Sequence, residues 1–502
     1  MIRATVVILK RHKWIVLVTL IGLLLRLYQL GEWSFWHDEA LTVLLARQPV
    51  PQLIAITATD VHPPLYFLIV KLFLNFGQNE IIVRLPGVLF GAAAVVTIYW
   101  LGCLLFDERV GLMAAVIMAV SPLQLFYAQE ARLYTQLLLL TLLSSCCFFQ
   151  ALRTDRYGWW AVFVVTATLA AYTAYFAFPI FAAMALYVFL IERQRQKIFH
   201  FLVAMVVVGL LYLPWVGVFI AQTRAVADTY WIAQPSPLVL FTTLSGFFIS
   251  YTLPSFWIAV SLVTTLLIIF VVLNDGRHII WRRHIDTKPL LWLLLWGFIP
   301  LVGTFLISLI QPIFQLRTVL TASPAFYILV AWGTMRSPQR RVNGFLFLPT
   351  VALMLFSLFN FYFNPAFEKP AWRAAATYVN THTQPGDVVL HTSDSSFLPF
   401  LAYPHQVPHI LLPLDPDEAS KNAPSQSIIS AVGGTPQPLE TSVQGYNRAW
   451  LVMGIEHSAD YQVKQKRLFD SRYHVLDENK IDGIYIFTYA LDEVNDDVEA
   501  GR

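Results

Sequence analysis

Residues 82–105 of the chain read IVRLPGVLFGAAAVVTIYWLGCLL, and Arg84 is the single charged residue in this run. A helix of that length crosses the roughly 30 Å hydrocarbon core of a bilayer. The chain has eleven such candidate membrane helices, at residues 14–30, 82–105, 110–125, 133–152, 157–173, 176–191, 199–221, 251–273, 290–310, 317–334 and 343–362. Its 502 residues are 57% apolar and 13% charged, with a mean hydropathy of +0.60. These values predict a polytopic α-helical membrane protein.

Charge and cysteine content argue against a nucleic-acid partner, a disulfide framework and a zinc site. The net charge of +3 is small and the Lys and Arg residues form no single stripe, so a nucleic-acid partner is not expected. The three cysteines, Cys103, Cys146 and Cys147, lie in apolar runs without a CxxC or Cys/His spacing. Neither a disulfide framework nor a zinc site is therefore predicted.

The placement of basic residues predicts the topology. Lys and Arg residues concentrate at the N-terminus and in alternate loops, at residues 106–110, 153–158, 191–197, 276–288 and 336–341. The positive-inside rule assigns these loops to the cytoplasm, and an odd number of helices then places the C-terminal part outside the cell. No small-x-small cleavage site follows the first apolar run, so that run is expected to remain as an uncleaved helix of an inner (plasma) membrane protein.

The composition becomes that of a soluble domain after residue 362. Residues 1–362 are predicted to form a transmembrane domain, with residues 31–81 as its first extracytoplasmic loop. Residues 363–490 are predicted to form a small extracytoplasmic α/β domain, and residues 491–502 an acidic disordered tail. In the α/β domain we expect an amphipathic helix near residues 369–380 and buried strands at DVVLHT, HILLPL, RAWLVMG and IDGIYIF.

The first extracytoplasmic loop carries two adjacent carboxylates, Asp38 and Glu39, in the segment FWHDEA. The segments ALTVLLARQPVPQLIAI and PPLYFLIVKLFLNF have the length of amphipathic juxtamembrane helices, so the loop is expected to lie on the membrane surface. Ionised carboxylates are costly there unless they are paired or solvated, which makes both residues functional candidates. Alternatively, they cap and complement the first turn of the helix that follows.

A second polar cluster lies in SPLQLFYAQEARLYTQ, residues 121–136, between the third and fourth candidate helices on the same predicted outer face. Glu130, Arg132 and Tyr134 interrupt an otherwise apolar stretch there. One interpretation is a local Glu130–Arg132 pair on the surface, which would contribute little stability. The other is that they belong to a functional site.

Isolated cations and a histidine complete the set: His62, Lys71, Arg84 and Arg317. Arg84 and Arg317 each lie at the predicted outer end of an apolar run, where an arginine can anchor a helix by extending its guanidinium to the interface. Taken together with the two carboxylate sites, however, these residues describe a pocket for an anion whose chemistry needs a base.

All of these residues except Lys71 fall in an ordered series of motifs. They are WHDE at 36–39, HPPLY at 62–66, GQNEIIVRLP at 77–86 and SPLQLFYAQEARLY at 121–134, followed by the arginine-led helix from 317 and WRAAATYV with PGDVV at the start of the outer domain. In this order the chain resembles the GT-C superfamily of membrane glycosyltransferases over most of residues 13–400. The resemblance is to the bacterial relatives of dolichyl-phosphate-mannose protein mannosyltransferases and of the lipid A aminoarabinose transferase, the glycosyltransferase family 39-like group.

The resemblance implies a function and roles for residues. Such enzymes transfer a sugar from a polyprenyl-phosphate donor, with inversion, to a lipid, protein or glycan acceptor outside the cytoplasm. By position, Asp38 would be the catalytic base, Glu39 a supporting residue and Glu130 an accessory carboxylate. The residues expected to bind donor phosphate or substrate are His62, Lys71, Arg84, Arg132, Tyr134 and Arg317. His62 stands where the aminoarabinose transferase has a lysine, so it would bind donor phosphate only in its protonated form.

Two alternatives come from other mechanisms. The Asp38 and Glu130 carboxylates could hold a divalent metal, as in some members of the superfamily. A transporter or flippase of lipid-linked sugars would also use acids and cations in the membrane. Transporters, however, place their charges near the bilayer midplane and are often built from repeats, whereas these residues gather at one predicted interface and no internal repeat is visible.

Overall fold

The computed structural model describes residues 13–229, 232, 234–281, 287–337, 339–413, 426–453 and 459–494. Two compact units divide the chain. The first unit comprises Met1–Leu30, His62–Tyr66 and Arg84–Phe367, and the second comprises Gly31–Val61, Phe67–Val83 and Glu368–Arg502.

The described part of the chain is mostly helical, and its α-helices are numbered here in chain order. They are α1 (Lys13–Leu27), α2 (His37–Arg47), α3 (Val50–Thr57), α4 (Leu65–Phe73), α5 (Glu80–Leu105), α6 (Glu108–Val120), α7 (Pro122–Ala128), α8 (Tyr134–Thr154), α9 (Tyr157–Ala171), α10 (Phe178–Tyr187), α11 (Arg195–Thr229), α12 (Leu238–Ile249), α13 (Ser255–Trp281), α14 (Lys288–Ser308), α15 (Ser323–Met335), α16 (Arg340–Phe363), α17 (Trp372–His382), α18 (Asp394–Ala402), α19 (Gln426–Ala431), α20 (Leu439–Ser442) and α21 (Ala459–Asp470).

Helices overlap all eleven predicted apolar runs, and α12 is an additional apolar helix. By length and composition, six helical segments of the described chain can cross a membrane: Glu80–Leu105, Tyr134–Thr154, Tyr175–Glu192, Arg195–Arg224, Lys288–Ser308 and Arg340–Phe363. The pair α6 and α7, bent by 59°, raises the number to seven if it counts as one span. The total of eleven membrane helices therefore remains a prediction.

The turn between α5 and α6 illustrates how the apolar helices of the first unit pack. The Asp107 side chain accepts hydrogen bonds from the backbone N–H groups of Arg109 and Val110, so Asp107 is the N-cap of α6. Gly102 and Gly111 then face each other so closely that a Cβ on Gly111 would lie 2.5 Å from the Tyr99 carbonyl oxygen. Small residues allow helix backbones to approach in this way inside a membrane, where packing rather than the hydrophobic effect holds helices together.

Arg26, near the end of α1, is fully buried in the first unit. Its guanidinium donates hydrogen bonds to the carbonyl oxygens of Gly22, Met118 and Ala119 at 2.8, 3.2 and 3.2 Å. The last two carbonyls belong to the final turn of α6, where helix carbonyls lack partners within the helix. Arg26 therefore stabilises the end of α6 as a helix cap.

A five-stranded sheet organises the C-terminal part of the second unit. Its strands are β1 (Asp387–His391), β2 (His409–Leu411), β3 (Arg448–Met453), β4 (Tyr473–Ile481) and β5 (Ile484–Val494), in the order β2-β1-β3-β5-β4. β1 pairs in parallel with β2 and β3, and β5 pairs antiparallel with β3 and β4. The strand expected in each of the four quoted segments is present, and β4 was not expected.

Both faces of the sheet are covered. On one face, Val389 and Trp450 pack with Trp372 of α17, and on the other, Leu451 and Phe487 pack with Phe469 of α21. Burial on both faces explains why β1 and β3 appear in the sequence as continuous apolar runs. β5 extends to Val494, so the first four residues of the predicted acidic tail belong to a strand. The remaining tail residues, 495–502, lie outside the described residues.

Candidate functional site

The helix α2 positions the first pair of predicted residues, Asp38 and Glu39, within the second unit. It begins at His37, after the extended residue Trp36, so both carboxylates lie in its first turn and neither is the N-cap residue. At the other end, Arg47 donates hydrogen bonds to the carbonyl oxygens of Leu401 and Ala402 at the end of α18, at 3.1 and 2.7 Å. α2 is therefore fixed against the C-terminal part of its own unit.

His37 lies between two carboxylates, which we call the His37 cluster: His37, Asp38 and Asp394. Its Nδ1 is 3.3 Å from Asp38 Oδ1, and its Nε2 is 3.2 Å from Asp394 Oδ2. Burial lowers the pKa of the imidazole, but hydrogen bonds and the negative charges of both carboxylates outweigh it and raise the pKa to about 10. The ion pairs of the charged His37 ring therefore stabilise the folded state fully below about pH 6.5, the ordinary histidine pKa. This contribution to the free energy of unfolding is lost as the pH rises through about 10. At neutral pH the ring is a cation beside Asp38.

Glu39 points to a different cation. Its side chain is fully buried, and Oε2 lies 3.2 Å from the Nζ of Lys369. The same ammonium lies 5.9 and 5.5 Å from the ring centroids of Trp33 and Trp36, within cation–π range. A buried carboxylate requires such a partner because desolvation of an unpaired charge is costly. Glu39 is thus paired with Lys369, one residue along α2 from Asp38.

We expect Lys369→Met to lower the free energy of unfolding of the second unit by about 3 kcal/mol, because it removes an ammonium from beside a buried carboxylate. Thermal unfolding in detergent would measure the change. Lys369→Arg keeps the charge and serves as the control. Equal stability of the methionine variant and the wild type would show that the Lys369–Glu39 pair does not stabilise the fold.

Lys71 has a structural contact of its own within the second unit. Its Nζ donates hydrogen bonds to the carbonyl oxygens of Ala46 and Gln48, at 3.3 and 2.7 Å, where α2 ends. A lysine at a helix C-terminus satisfies carbonyls that lack partners within the helix and interacts favourably with the helix dipole. The structure therefore places Lys71 at the opposite end of α2 from Asp38.

In the first unit, the predicted second cluster follows the short helix α7, which Ser121 and Pro122 begin. The Gln129 amide donates to the carbonyl oxygens of Arg26 and Tyr28 at 3.0 and 2.7 Å, which holds the loop against the end of α1. Gly87 of α5 passes so close that a Cβ there would lie 2.8 Å from the Ala128 carbonyl oxygen and 3.1 Å from that of Glu130. A glycine at this position allows helix and loop to approach.

Glu130 and Arg132 are both buried, with side chains 3% and 6% exposed. The interpretation of an exposed surface pair is therefore wrong, because a surface pair requires solvated side chains. Tyr134 is also buried and begins α8. The loop thus directs its polar residues into the first unit.

Tyr251 interacts with several predicted residues of the first unit. We call this group the Tyr251 cluster: Tyr127, Glu130, Tyr134, Tyr251 and Arg317. The hydroxyl oxygens of Tyr127 and Tyr251 are 3.0 Å apart. The rings of Tyr127 and Tyr134 pack edge to face, with their centroids 4.9 Å apart. Tyr251 also interacts electrostatically with Arg317, Glu130 and Tyr134. Three predicted site residues therefore lie around a tyrosine that the sequence motifs do not identify.

The last two predicted residues also belong to the first unit. Arg84 is 1% exposed and donates a hydrogen bond to the Leu30 carbonyl oxygen at 2.9 Å, so its guanidinium is buried and does not extend to the interface as a helix anchor. His62 is half-buried in the segment between α3 and α4. Among the described residues, no group of three or more His, Cys, Asp or Glu side chains is arranged to hold a metal ion.

The sequence profile of the dolichyl-phosphate-mannose-protein mannosyltransferase family matches residues 61–217. Among solved structures, ArnT from Cupriavidus metallidurans in the apo state superposes with a TM-score of 0.65 at 12% identity, over 96% of this chain and 99% of that one. The same protein bound to undecaprenyl phosphate gives a TM-score of 0.64 at 12% identity, over 95% and 98%. No curated protein sequence gives a significant match.

A third similar structure is the archaeal oligosaccharyltransferase AglB from Archaeoglobus fulgidus, in complex with an inhibitory peptide and a dolichol-phosphate. It superposes with a TM-score of 0.56 at 12% identity, over 95% of this chain and 74% of that one. These likenesses confirm the resemblance to GT-C membrane glycosyltransferases that the ordered motifs predicted. With its apolar helices, the chain is a multi-pass membrane protein of that fold.

Proposed function

We propose that this protein is an inverting glycosyltransferase that moves a sugar from a polyprenyl-phosphate donor to an acceptor hydroxyl or amine on the extracytoplasmic face of the membrane. The observation that carries the proposal is the placement of Asp38 on α2 of a GT-C-like chain, hydrogen bonded to a cationic His37. The likeness to structures determined with undecaprenyl phosphate and with a dolichol-phosphate supports a lipid-linked donor.

In this proposal Asp38 is the general base. The acceptor oxygen or nitrogen forms a bond to the anomeric carbon while the bond from that carbon to the phosphate oxygen breaks. The acceptor's proton passes to Asp38, and polyprenyl phosphate leaves with the bonding electrons. A positioned carboxylate base contributes about 10²–10⁴-fold to such a rate. The cation His37 keeps the base ionised, and the Lys369–Glu39 pair supports the turn that carries it.

The departing phosphate requires cations. We assign this role first to Arg132 and Arg317, because a guanidinium matches phosphate oxygens in a bidentate way and stabilises the charge that develops there. Arg317 lies in the Tyr251 cluster with Glu130 and Tyr134. Tyr134 and Glu130 would then contact the sugar or the acceptor. His62, Lys71 and Arg84 remain further candidates, although Lys71 and Arg84 already bind backbone carbonyls.

The same proposal places the N-terminus in the cytoplasm and residues 363–490 outside an inner (plasma) membrane. The basic residues of the alternate loops support this orientation, and a lipid-linked donor explains how an activated sugar reaches a compartment without nucleotide sugars. A reporter fused after residue 365 should report an extracytoplasmic location. A cytoplasmic signal would contradict the orientation.

A transfer assay tests the activity. The purified protein in lipid nanodiscs would be supplied with polyprenyl-phosphate sugars and with hydroxyl- or amine-bearing lipid, peptide and glycan acceptors, and products would be identified by mass spectrometry. We expect acceptor-dependent release of polyprenyl phosphate and a product of inverted anomeric configuration. Movement of intact donor across the bilayer of liposomes, without cleavage, would instead support a flippase.

A further inference from the structure

Asp394, the first residue of α18, is a fully buried carboxylate in the second unit. Its Oδ2 lies 3.2 Å from His37 Nε2. Among the described residues, its Oδ1 has no hydrogen-bond partner. Removing a carboxylate from water costs several kcal/mol unless a cation and hydrogen bonds replace the water. Among the described residues, His37 is therefore the one hydrogen-bond partner of the Asp394 carboxylate.

The two contacts of His37 fix the protonation of its ring. Nε2 faces an oxygen of Asp394 and Nδ1 faces an oxygen of Asp38, at 3.2 and 3.3 Å. With its pKa raised by these two contacts, the ring is an imidazolium at neutral pH, and both of its nitrogens donate. Charge-assisted hydrogen bonds of this kind are stronger and more directional than neutral ones. The plane of the ring, and hence the direction of Nδ1–H toward Asp38, depends on Asp394.

A purely structural role fits Asp394 poorly when it is compared with Asp387, a buried carboxylate of the preceding strand. Asp387 accepts hydrogen bonds from Arg448 at 2.9 and 2.7 Å, from the Trp450 indole at 2.9 Å and from the Gln384 N–H at 2.9 Å. Both of its oxygens are satisfied, as expected of a carboxylate that stabilises the fold. An acidic residue in the first turn of α18 would also favour the helix dipole, but an exposed side chain would give that benefit without the cost of burial.

We propose that Asp394 is a positioning residue for sugar transfer, which holds the His37 ring in the orientation that keeps Asp38 charged and aimed. This inference rests on the proposed role of Asp38 as the base. Asp394 does not itself contact the reacting atoms in this scheme. It acts through one hydrogen bond to His37, and His37 acts through one to Asp38.

The expected result for Asp394→Ala is a loss of about 10²-fold in kcat with little change in the KM for the donor, because misplacement of a catalytic group by about 1 Å is enough for such a loss. Asp394→Asn retains an oxygen that accepts from Nε2–H, so it should recover a large part of the activity. His37→Ala should lose a similar factor, and the double variant His37→Ala/Asp394→Ala should lose no more than His37→Ala alone. Non-additivity of that kind marks residues that act through one another.

Asp387→Asn is the matched control, since it alters a buried carboxylate of the same unit without contact to the His37 cluster. It should lower thermal stability and leave kcat unchanged. If Asp394→Ala prevents folding, the same comparison of kcat is made with Asp394→Asn and with the double variant His37→Ala/Asp394→Asn. Wild-type kcat in Asp394→Ala, or additive losses with His37→Ala, would overturn the positioning role while leaving the proposed function intact. A wild-type protein that transfers no sugar in the nanodisc assay would overturn the proposed function itself.

Discussion

Replacing Asp38 with asparagine should reduce the rate of sugar transfer by about 10²–10⁴-fold, the usual contribution of a positioned general base. Asparagine has nearly the same shape and can still lie beside His37, but it does not take a proton from the acceptor at neutral pH. The measurement is kcat in nanodiscs with a polyprenyl-phosphate sugar as the donor. Donor affinity should change little, because the base contacts the acceptor.

Asp60→Asn provides a control for this experiment, since Asp60 is an acidic residue of the same segment of the second unit, Gly31–Val61, outside the proposed machinery. It should retain wild-type kcat. Melting temperatures of both variants would verify that they fold. Turnover by folded Asp38→Asn at the wild-type rate would exclude Asp38 as the base.

Arg317→Ala should weaken the binding of a polyprenyl-phosphate donor by about 10–100-fold, since a charge-assisted hydrogen bond contributes roughly 1.5–3 kcal/mol. Arg132→Ala should have an effect of the same order. Arg317→Lys keeps the charge but not the bidentate geometry, and should fall between the alanine variant and the wild type. Dissociation constants for polyprenyl phosphate itself, from fluorescence or calorimetry, give these values independently of turnover.

Arg336→Ala is the matched control for the phosphate assignment. Arg336 is half-exposed and pairs with Asp107 at 2.7 Å, at the loop that follows α15. Its loss should leave the dissociation constant unchanged. If Arg317→Ala and Arg132→Ala both retain wild-type affinity, the donor phosphate binds elsewhere.

The sequence predicted the class of fold because a membrane helix needs little beyond length and apolar content, and both can be counted directly. The strands β1, β3 and β5 were predictable for a related reason, since buried strands form short apolar runs. β4, with the sequence YHVLDENKI, is a polar edge strand, and its pattern hardly differs from that of a loop. Its pairing with β5 depends on the turn at Asp482 and Gly483, both of which have positive φ.

The candidate site was predictable only where residues lie together in a motif. Asp38, Glu39, Glu130 and Arg132 are in short polar segments within apolar sequence, so they stand out. Asp394 is 357 positions from His37, and nothing local marks their contact. Tyr251 is similarly 124 positions from Tyr127, and a single tyrosine in an aromatic-rich chain carries no signal of its own. Contacts of this kind depend on tertiary packing, which one sequence does not specify by pattern.

The compact unit that contains α2 also contains Glu368–Arg502, so chimeras of this chain with related chains must respect both segments. Arg47, Glu39 and His37 of the early segment bind Leu401, Lys369 and Asp394 of the late one. A chimera with a single breakpoint near residue 367 would therefore combine an α2 from one parent with binding partners from the other. A chimera that keeps these contacts intact would instead require two crossovers, so that residues 31–61 and 368–413 are inherited together.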